Sequence, residues 1–241
     1  MLAFTLCLGA VVLITVNQRV RVRAIAFDLD GTLLDTVHDL AAAINTMLDR
    51  LGEAPLPKDT IRTMIGKGMA NLVRRALAAA RGIEPSEADE QRALPMYEDA
   101  YDRILGRETT VFPGVREGLE RLATAGFGLA CVTNKTSRFT RPHLDKAGLA
   151  HYFSLVIGGD SLAAKKPDPM PLRAAARHFG VAPDRLLVLG DSANDTQAAR
   201  AAGCPVLCVP YGYNEGRPVQ SLDCDGIVSS LDELPERIRL G

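Results

Sequence analysis

Val22-Arg23-Ala24-Ile25-Ala26-Phe27-Asp28-Leu29-Asp30-Gly31-Thr32 is an apolar run that stops abruptly in two carboxylates and a glycine. It reads as a buried strand, Val22 to Phe27, that delivers Asp28 and Asp30 to the end of a sheet. Residues two apart in extended chain point the same way, so both carboxyl groups should face one side. Taken alone, an Asp-x-Asp triplet beside a glycine also fits an ordinary turn.

Outward from this stretch, short apolar runs recur at Gly128 to Thr133, Leu155 to Gly158, Leu186 to Leu189 and Val206 to Val209. Helical patterns alternate with them at Val115 to Ala125, Ser137 to Ala147, Pro171 to Phe179 and Asn194 to Ala202, each followed closely by a glycine that can end a helix. The alternation predicts an α/β fold, a Rossmann-like doubly wound parallel sheet. Right-handed crossovers would gather the C-terminal ends of all its strands along one edge.

One segment breaks the alternation. About 75 residues between the first and second strands carry helical signals only. Val37, Leu40, Ala41, Ile44, Met47, Leu48 and Leu51 fall on one helix face, with Gly52 as a stop. Met64, Ile65, Leu72, Val73, Ala76 and Leu77 continue the period around a Gly66-Lys67-Gly68 turn, and Ser86-Glu87-Ala88-Asp89 has the form of a capping box opening a third helix. The expected organisation is a sheet-bearing core of residues 20–36 and 112–241, a small all-helical cap of residues 37–111, and an apolar N-terminal extension of residues 1–19.

The chain has 241 residues, 47% of them hydrophobic, enough for one full core and a smaller appended unit. Its 28 basic and 29 acidic residues nearly cancel, so no broad positive field would attract nucleic acid or anionic lipid, and the expected partner is a small molecule. Five cysteines without CxxC spacing suggest a reducing compartment. Four scattered histidines offer no zinc pattern, so a metal would have to be held by oxygen.

Polar clusters follow the later strands too. Val132-Thr133-Asn134-Lys135 ends the second, Lys165-Lys166-Pro167-Asp168-Pro169 precedes a helix, and Leu189-Gly190-Asp191-Ser192-Ala193-Asn194-Asp195 ends the fourth. Singly, each has a plain alternative: a helix N-cap for Thr133 and Asn134 or for Asp191 and Asn194, a solvated loop for the lysines. Jointly, the order DxDGT, TN, KP, GDxxND resembles the haloacid dehalogenase superfamily over residues 20–241. Leu33-Leu34-Asp35-Thr36, Gly66-Lys67-Gly68, Gly158-Gly159-Asp160 and Tyr211-Gly212-Tyr213-Asn214 add a resemblance to its phosphoglycolate phosphatase family. Thr136 departs from the pattern, since many relatives have proline there; the change should alter loop stiffness and not chemistry.

The resemblance implies a Mg²⁺-dependent phosphatase acting on a small phosphorylated metabolite, most simply 2-phosphoglycolate, as a monomer or homodimer. It implies Asp28 as nucleophile and metal ligand, and Asp30 as acid and base whose backbone carbonyl also binds the metal. Asp191 would complete the protein ligands, with Asp195 behind them. Thr133, the Asn134 backbone and Lys166 would bind the phosphoryl group. Lys67, between two glycines, would reach a substrate carboxylate, or would simply be a solvated lysine on a turn; Arg74 and Arg75 could add positive charge. The residues themselves fit this need, because a phosphate dianion approaching a carboxylate is repelled unless cations bridge the two. A dehalogenase would need neither a metal nor an acid at position 30. A phosphomutase on the same fold, a phosphatase for another small acidic or sugar phosphate, and a non-catalytic binding module are the remaining alternatives.

Leu2 to Val16 is an uncharged, mostly apolar run. Its 15 residues would span about 22 Å as a helix, short of a ~30 Å hydrocarbon core. No basic residue precedes it, as a secretory signal would require. The expectation is a start site assigned too far upstream or a dispensable extension rather than an anchor, and a cytoplasmic protein with no stable membrane partner.

Overall fold

The structure is a computed structural model and describes residues 20–241; the expectations for residues 1–19 lie outside the described residues. The chain opens with β1 (Val20–Val22) and β2 (Ala24–Phe27), then β3 (Leu34–Asp35) and four helices, α1 (Val37–Arg50), α2 (Lys58–Arg62), α3 (Met69–Arg81) and α4 (Glu87–Ile104). It continues through β4 (Thr110–Val111), α5 (Val115–Thr124), β5 (Gly128–Val132), α6 (Ser137–Lys146), β6 (Leu155–Ile157) and α7 (Met170–His178). The last elements are β7 (Leu186–Gly190), α8 (Ala193–Ala202), β8 (Val206–Cys208), β9 (Gly226–Ile227), α9 (Leu234–Arg237) and β10 (Ile238–Leu240).

Six strands form a parallel sheet in the order β6-β5-β2-β7-β8-β9. The chain works outward from β2 to β6, then returns to β2's other side with β7. The strand order therefore reverses between β2 and β7, and α/β sheets open their binding crevice beyond the C-terminal ends of such a pair.

Strand alternation builds the core. Ile25, Phe27, Leu129, Cys131, Leu187 and Leu189 pack with Val115, Leu119 and Leu122 of α5 on one face. Ala24, Ala26, Ala130, Val132, Leu186 and Val188 pack with Leu172 and Ala175 of α7 and Ala198 and Ala199 of α8 on the other. The second face carries smaller strand residues, so its helices can approach closely. Each large aliphatic side chain fully buried this way contributes on the order of 1.5–3 kcal/mol. The glycines expected to stop helices, Gly126, Gly148, Gly180 and Gly203, all have positive φ.

The segment between β3 and β4 is helical throughout its secondary structure, as its periodicity predicts, and has its own apolar cluster. Ile44, Met47 and Leu48 of α1, Leu72, Ala76 and Leu77 of α3, and Tyr97 and Tyr101 of α4 meet there, joined from the sheet side by Phe139 of α6 and by Tyr213. Ser86 caps α4: its Oγ accepts from the Asp89 amide at 3.2 Å, and the Ser86 amide donates back to Asp89 Oδ2 at 3.0 Å.

Two features differ from the sequence expectation. The first strand divides at Arg23: β2 joins the sheet, while β1 pairs with β10 at the far end of the chain. Both ends of the helical segment are also tied by an antiparallel pair, Leu34 with Val111 and Asp35 with Thr110. Two-residue strands are too short to show a period, so this clasp left no signal. Among the described residues no helix is long and apolar enough to cross a membrane.

Candidate active site

β2 and β7 are hydrogen-bonded neighbours, and each is followed at once by an aspartate. Asp28 and Asp191 therefore meet at the point of strand reversal, the Asp28 amide donating to Leu189 O at 2.9 Å. Gly31 makes the turn after β2 with φ +91°, and a Cβ there would lie 2.5 Å from Asp191 Oδ2. Only glycine combines that backbone with that approach.

Lys166 Nζ lies 2.9 Å from Asp28 Oδ1 and 2.6 Å from Asp195 Oδ1. Asp195 Oδ2 accepts from the Ser192 amide and hydroxyl at 3.1 and 2.7 Å, so both its oxygens are engaged. Asp191 accepts from Thr32 Oγ1 at 3.1 Å and from the Tyr213 amide at 2.6 Å. All four residues are buried. Burial pushes the Asp28 carboxyl up to about 6 against the pull of Lys166. Burial, with Asp195 and Asp28 close by, pushes Asp191 up to about 8. Burial opposes the charge on Lys166 as well, but Asp195 and Asp28 outweigh it and hold its pKa above the usual lysine value.

That charge balance bears on a metal. Asp28, Asp191 and Asp195 each present an oxygen, all within 4.8 Å of one another. When all three buried carboxyl groups are ionised, one ammonium leaves two negative charges uncompensated, the deficit one divalent cation would fill. An all-oxygen donor set suits Mg²⁺. The residues present fit the ion.

Asp30 has a different partner. Its carboxylate meets Lys135 Nζ at 3.2 and 3.3 Å, and the same ammonium donates to Tyr101 Oη at 2.6 Å. Lys135 is 5% exposed and Tyr101 0%. Sequence reasoning had Lys135 inside a motif without a role, and did not single out Tyr97 or Tyr101. The available signal was an i, i+4 aromatic pair on one helix; their rings stack, with centroids 5.7 Å apart.

Asp28, Asp30, Thr133, Asn134 and Lys135 line one cavity of about 30 Å³, roofed by Leu40, Ile65, Gly66, Gly68, Met69, Leu72, Tyr97 and Tyr101 from the helical segment. Thr133 is buried at its rim. The Asn134 side chain is a strut, donating to Gly66 O at 2.9 Å and Lys166 O at 2.8 Å. Lys67 is not brought to this cavity. Its ammonium pairs with Glu215 at 2.6 Å in a neighbouring pocket of about 350 Å³ that Lys166 also lines, and Arg75 pairs with the same carboxylate at 3.0 Å. The Gly66-Lys67-Gly68 turn does roof the site, but with its glycines, while the lysine is turned toward Glu215. Arg74 likewise pairs outside, with Glu84.

Comparison with known proteins agrees with this geometry. A family model for haloacid dehalogenase-like hydrolase matches residues 25–209, more than half of the chain. A phosphoglycolate phosphatase of Nitrosospira multiformis is 54% identical over 218 residues, 90% of this chain and 96% of that protein. One from Thiobacillus denitrificans is 49% identical, covering 88% and 93%. A crystal structure described as a predicted phosphoglycolate phosphatase from Haemophilus somnus superposes with TM-score 0.85 at 34% identity, covering 89% of this chain and 97% of that one. CbbY from Rhodobacter sphaeroides, solved in complex with phosphate, superposes with TM-score 0.74 at 25% identity over 88% and 96%. With the aspartates at the sheet edge, the strand order and these likenesses in agreement, the chain belongs to the haloacid dehalogenase-like hydrolases, in their phosphoglycolate phosphatase family.

Proposed function

We propose that the protein is a Mg²⁺-dependent phosphatase that hydrolyses 2-phosphoglycolate to glycolate and phosphate through a phosphorylated Asp28. The observation that carries this reading is the buried trio of Asp28, Asp191 and Asp195 around a single Lys166, at the sheet's point of reversal. Its uncompensated negative charge supports a divalent cation, and the names of the relatives support the substrate.

Asp28, the side chain of Asp191 and the backbone carbonyl of Asp30 would hold Mg²⁺, which when bound would supply positive charge to offset the repulsion between a carboxylate and a phosphate dianion. Asp28 attacks phosphorus, and the leaving alkoxide takes a proton from Asp30. Asp30 then takes a proton from the water that cleaves the aspartyl phosphate, returning Asp28 to its starting form. Lys166 offsets charge on Asp28 and the phosphoryl group, and Thr133 with the Asn134 amide binds phosphoryl oxygens. Asp195, with both oxygens engaged, orients Lys166 and the loop after β7. Residues 37–111 act as a cap over the core of residues 20–36 and 112–241. The ~30 Å³ cavity is roughly two waters' worth of space, smaller than either 2-phosphoglycolate or a sugar phosphate, so the cap must stand further off for any substrate to enter.

The test is turnover by the purified protein of 2-phosphoglycolate and of a panel of sugar phosphates, with Mg²⁺ and then with EDTA. Phosphate release that stops on chelation and favours 2-phosphoglycolate is expected. Metal-independent release, or preference for a hexose phosphate, sinks the reading.

A further inference from the structure

Above Asp28 the cavity is lined by residues with little to offer a polyol: Leu40, Ile65, Met69 and Leu72 are apolar, and Gly66 and Gly68 contribute no side chain. Two lining groups stand out against this background. The first is Lys135, the cation among the described residues that line the cavity. An ammonium has three N–H donors. The two Asp30 oxygens, at 3.2 and 3.3 Å, share one bifurcated donor and Tyr101 takes a second, which leaves one. The second is Tyr97. It is 0% exposed, and its hydroxyl has no hydrogen-bond partner among the described residues. Leaving a buried hydroxyl unpaired costs about 1–3 kcal/mol, so such a group in a cavity wall marks where an acceptor is expected. Burial, with Asp30 next in effect, drives the Tyr97 pKa well above its ordinary value, so the hydroxyl remains a neutral donor.

We propose that Tyr97 and Lys135 form the subsite for the end of the substrate opposite its phosphoryl group, and that the group they take is a carboxylate. This deepens the phosphatase reading and rests on it. A carboxylate has two acceptor oxygens, matching one hydroxyl donor and one spare ammonium donor. Lys135 lies against Asp30, so a carboxylate bound there is held beside the leaving-group end of the reaction. The ammonium also stands between the substrate carboxylate and Asp30, offsetting their repulsion. An alcohol in the same position would leave the ammonium underused. Lys67 has no part in this subsite, because Glu215 already neutralises it outside the cavity.

The experiment compares two substrates of similar size, 2-phosphoglycolate and 2-hydroxyethyl phosphate, which differ in the carboxylate. Both are assayed with Mg²⁺ in the wild type, in Tyr97→Phe and in Lys67→Ala. Tyr97→Phe should cut the ratio of kcat/KM for the two substrates by on the order of tenfold or more, the usual worth of a hydrogen bond to a charged group. The loss should be carried by KM for 2-phosphoglycolate. Lys67→Ala should shift the ratio less than threefold. The melting temperature of free Tyr97→Phe should equal or exceed that of the wild type, because the lost hydroxyl had no partner. A ratio that changes less than threefold in Tyr97→Phe while both substrates are turned over overturns the subsite alone. A wild type that hydrolyses neither ester overturns the phosphatase reading, and the subsite with it.

Discussion

Two lysines are buried within the same crevice, and their surroundings differ in both charge and origin. Lys166 sits among three carboxylates, all carried by the loops that follow β2 and β7 or by the start of α8. Lys135 faces one carboxylate, Asp30, and shares its charge with Tyr101 of α4. The first cluster is charge-deficient and complete without the helical segment. The second is balanced, and the helical segment supplies part of it. Metal binding should thus belong to the core alone, while the setting of the acid and base depends on the helices above it.

The largest test of that division sets Asp28→Asn against Asp30→Asn. Asp28→Asn should lower kcat by about 10⁴-fold or more, since an amide is a poor nucleophile, and should weaken the thermal shift produced by Mg²⁺. Asp30→Asn should cost about 10²- to 10⁴-fold with a poor leaving group, yet retain most of that thermal shift. Calorimetry of both variants with and without Mg²⁺ separates the two roles. Equal loss of metal binding in both would erase the distinction between the clusters.

A second test uses pH. In the metal-free protein the Asp28 and Asp191 carboxyls are raised to about 6 and about 8, mainly by burial. A raised acid contributes stability that is present below its unfolded pKa and is lost as pH rises through the folded value. Metal-free protein should therefore lose melting temperature between about pH 4 and pH 8, while the stabilisation added by Mg²⁺ grows over the same interval. A Mg²⁺ effect equal at pH 5 and pH 8 would mean the carboxylates do not carry the uncompensated charge described above.

The smallest effect is expected from Tyr101→Phe. Lys135 keeps Asp30 and loses one acceptor, so kcat should fall about three- to tenfold, less than the full worth of a hydrogen bond to a charged group because Asp30 still holds the ammonium. The Mg²⁺ thermal shift should stay within about a degree of the wild type. A shift that collapses in this variant would show that the two lysine clusters act as one unit.

Much of this was legible in the chain itself, for reasons particular residues make plain. Asp28 and Asp191 each follow an apolar strand directly, and β-strands of a parallel sheet register as continuous runs because both faces are buried. Helix α1 carries an apolar stripe with a glycine stop, and Ser86 caps α4 as its motif predicts. The clasp of β3 and β4 and the pairing of β1 with β10 were not legible, because two or three residues carry no period and their partners lie far along the chain. The partner of Lys67 was not legible for a related reason. Two flanking glycines indicate a tight turn, but not which anion the lysine will meet, and Glu215 is 148 residues away.

The sequence by itself determined the α/β class, the helical insertion and the aspartates at the sheet edge, since each is written in local periodicity or in a motif that follows a strand at once. Tertiary structure alone decided how those charges pair. Coulomb and hydrogen-bond partners are chosen by distance in space, and Lys135, Asp30, Tyr97 and Tyr101 come from separate parts of the chain. Which lysine meets the cavity, and which hydroxyl is left there without a partner, is settled only when α4 packs over the end of β2.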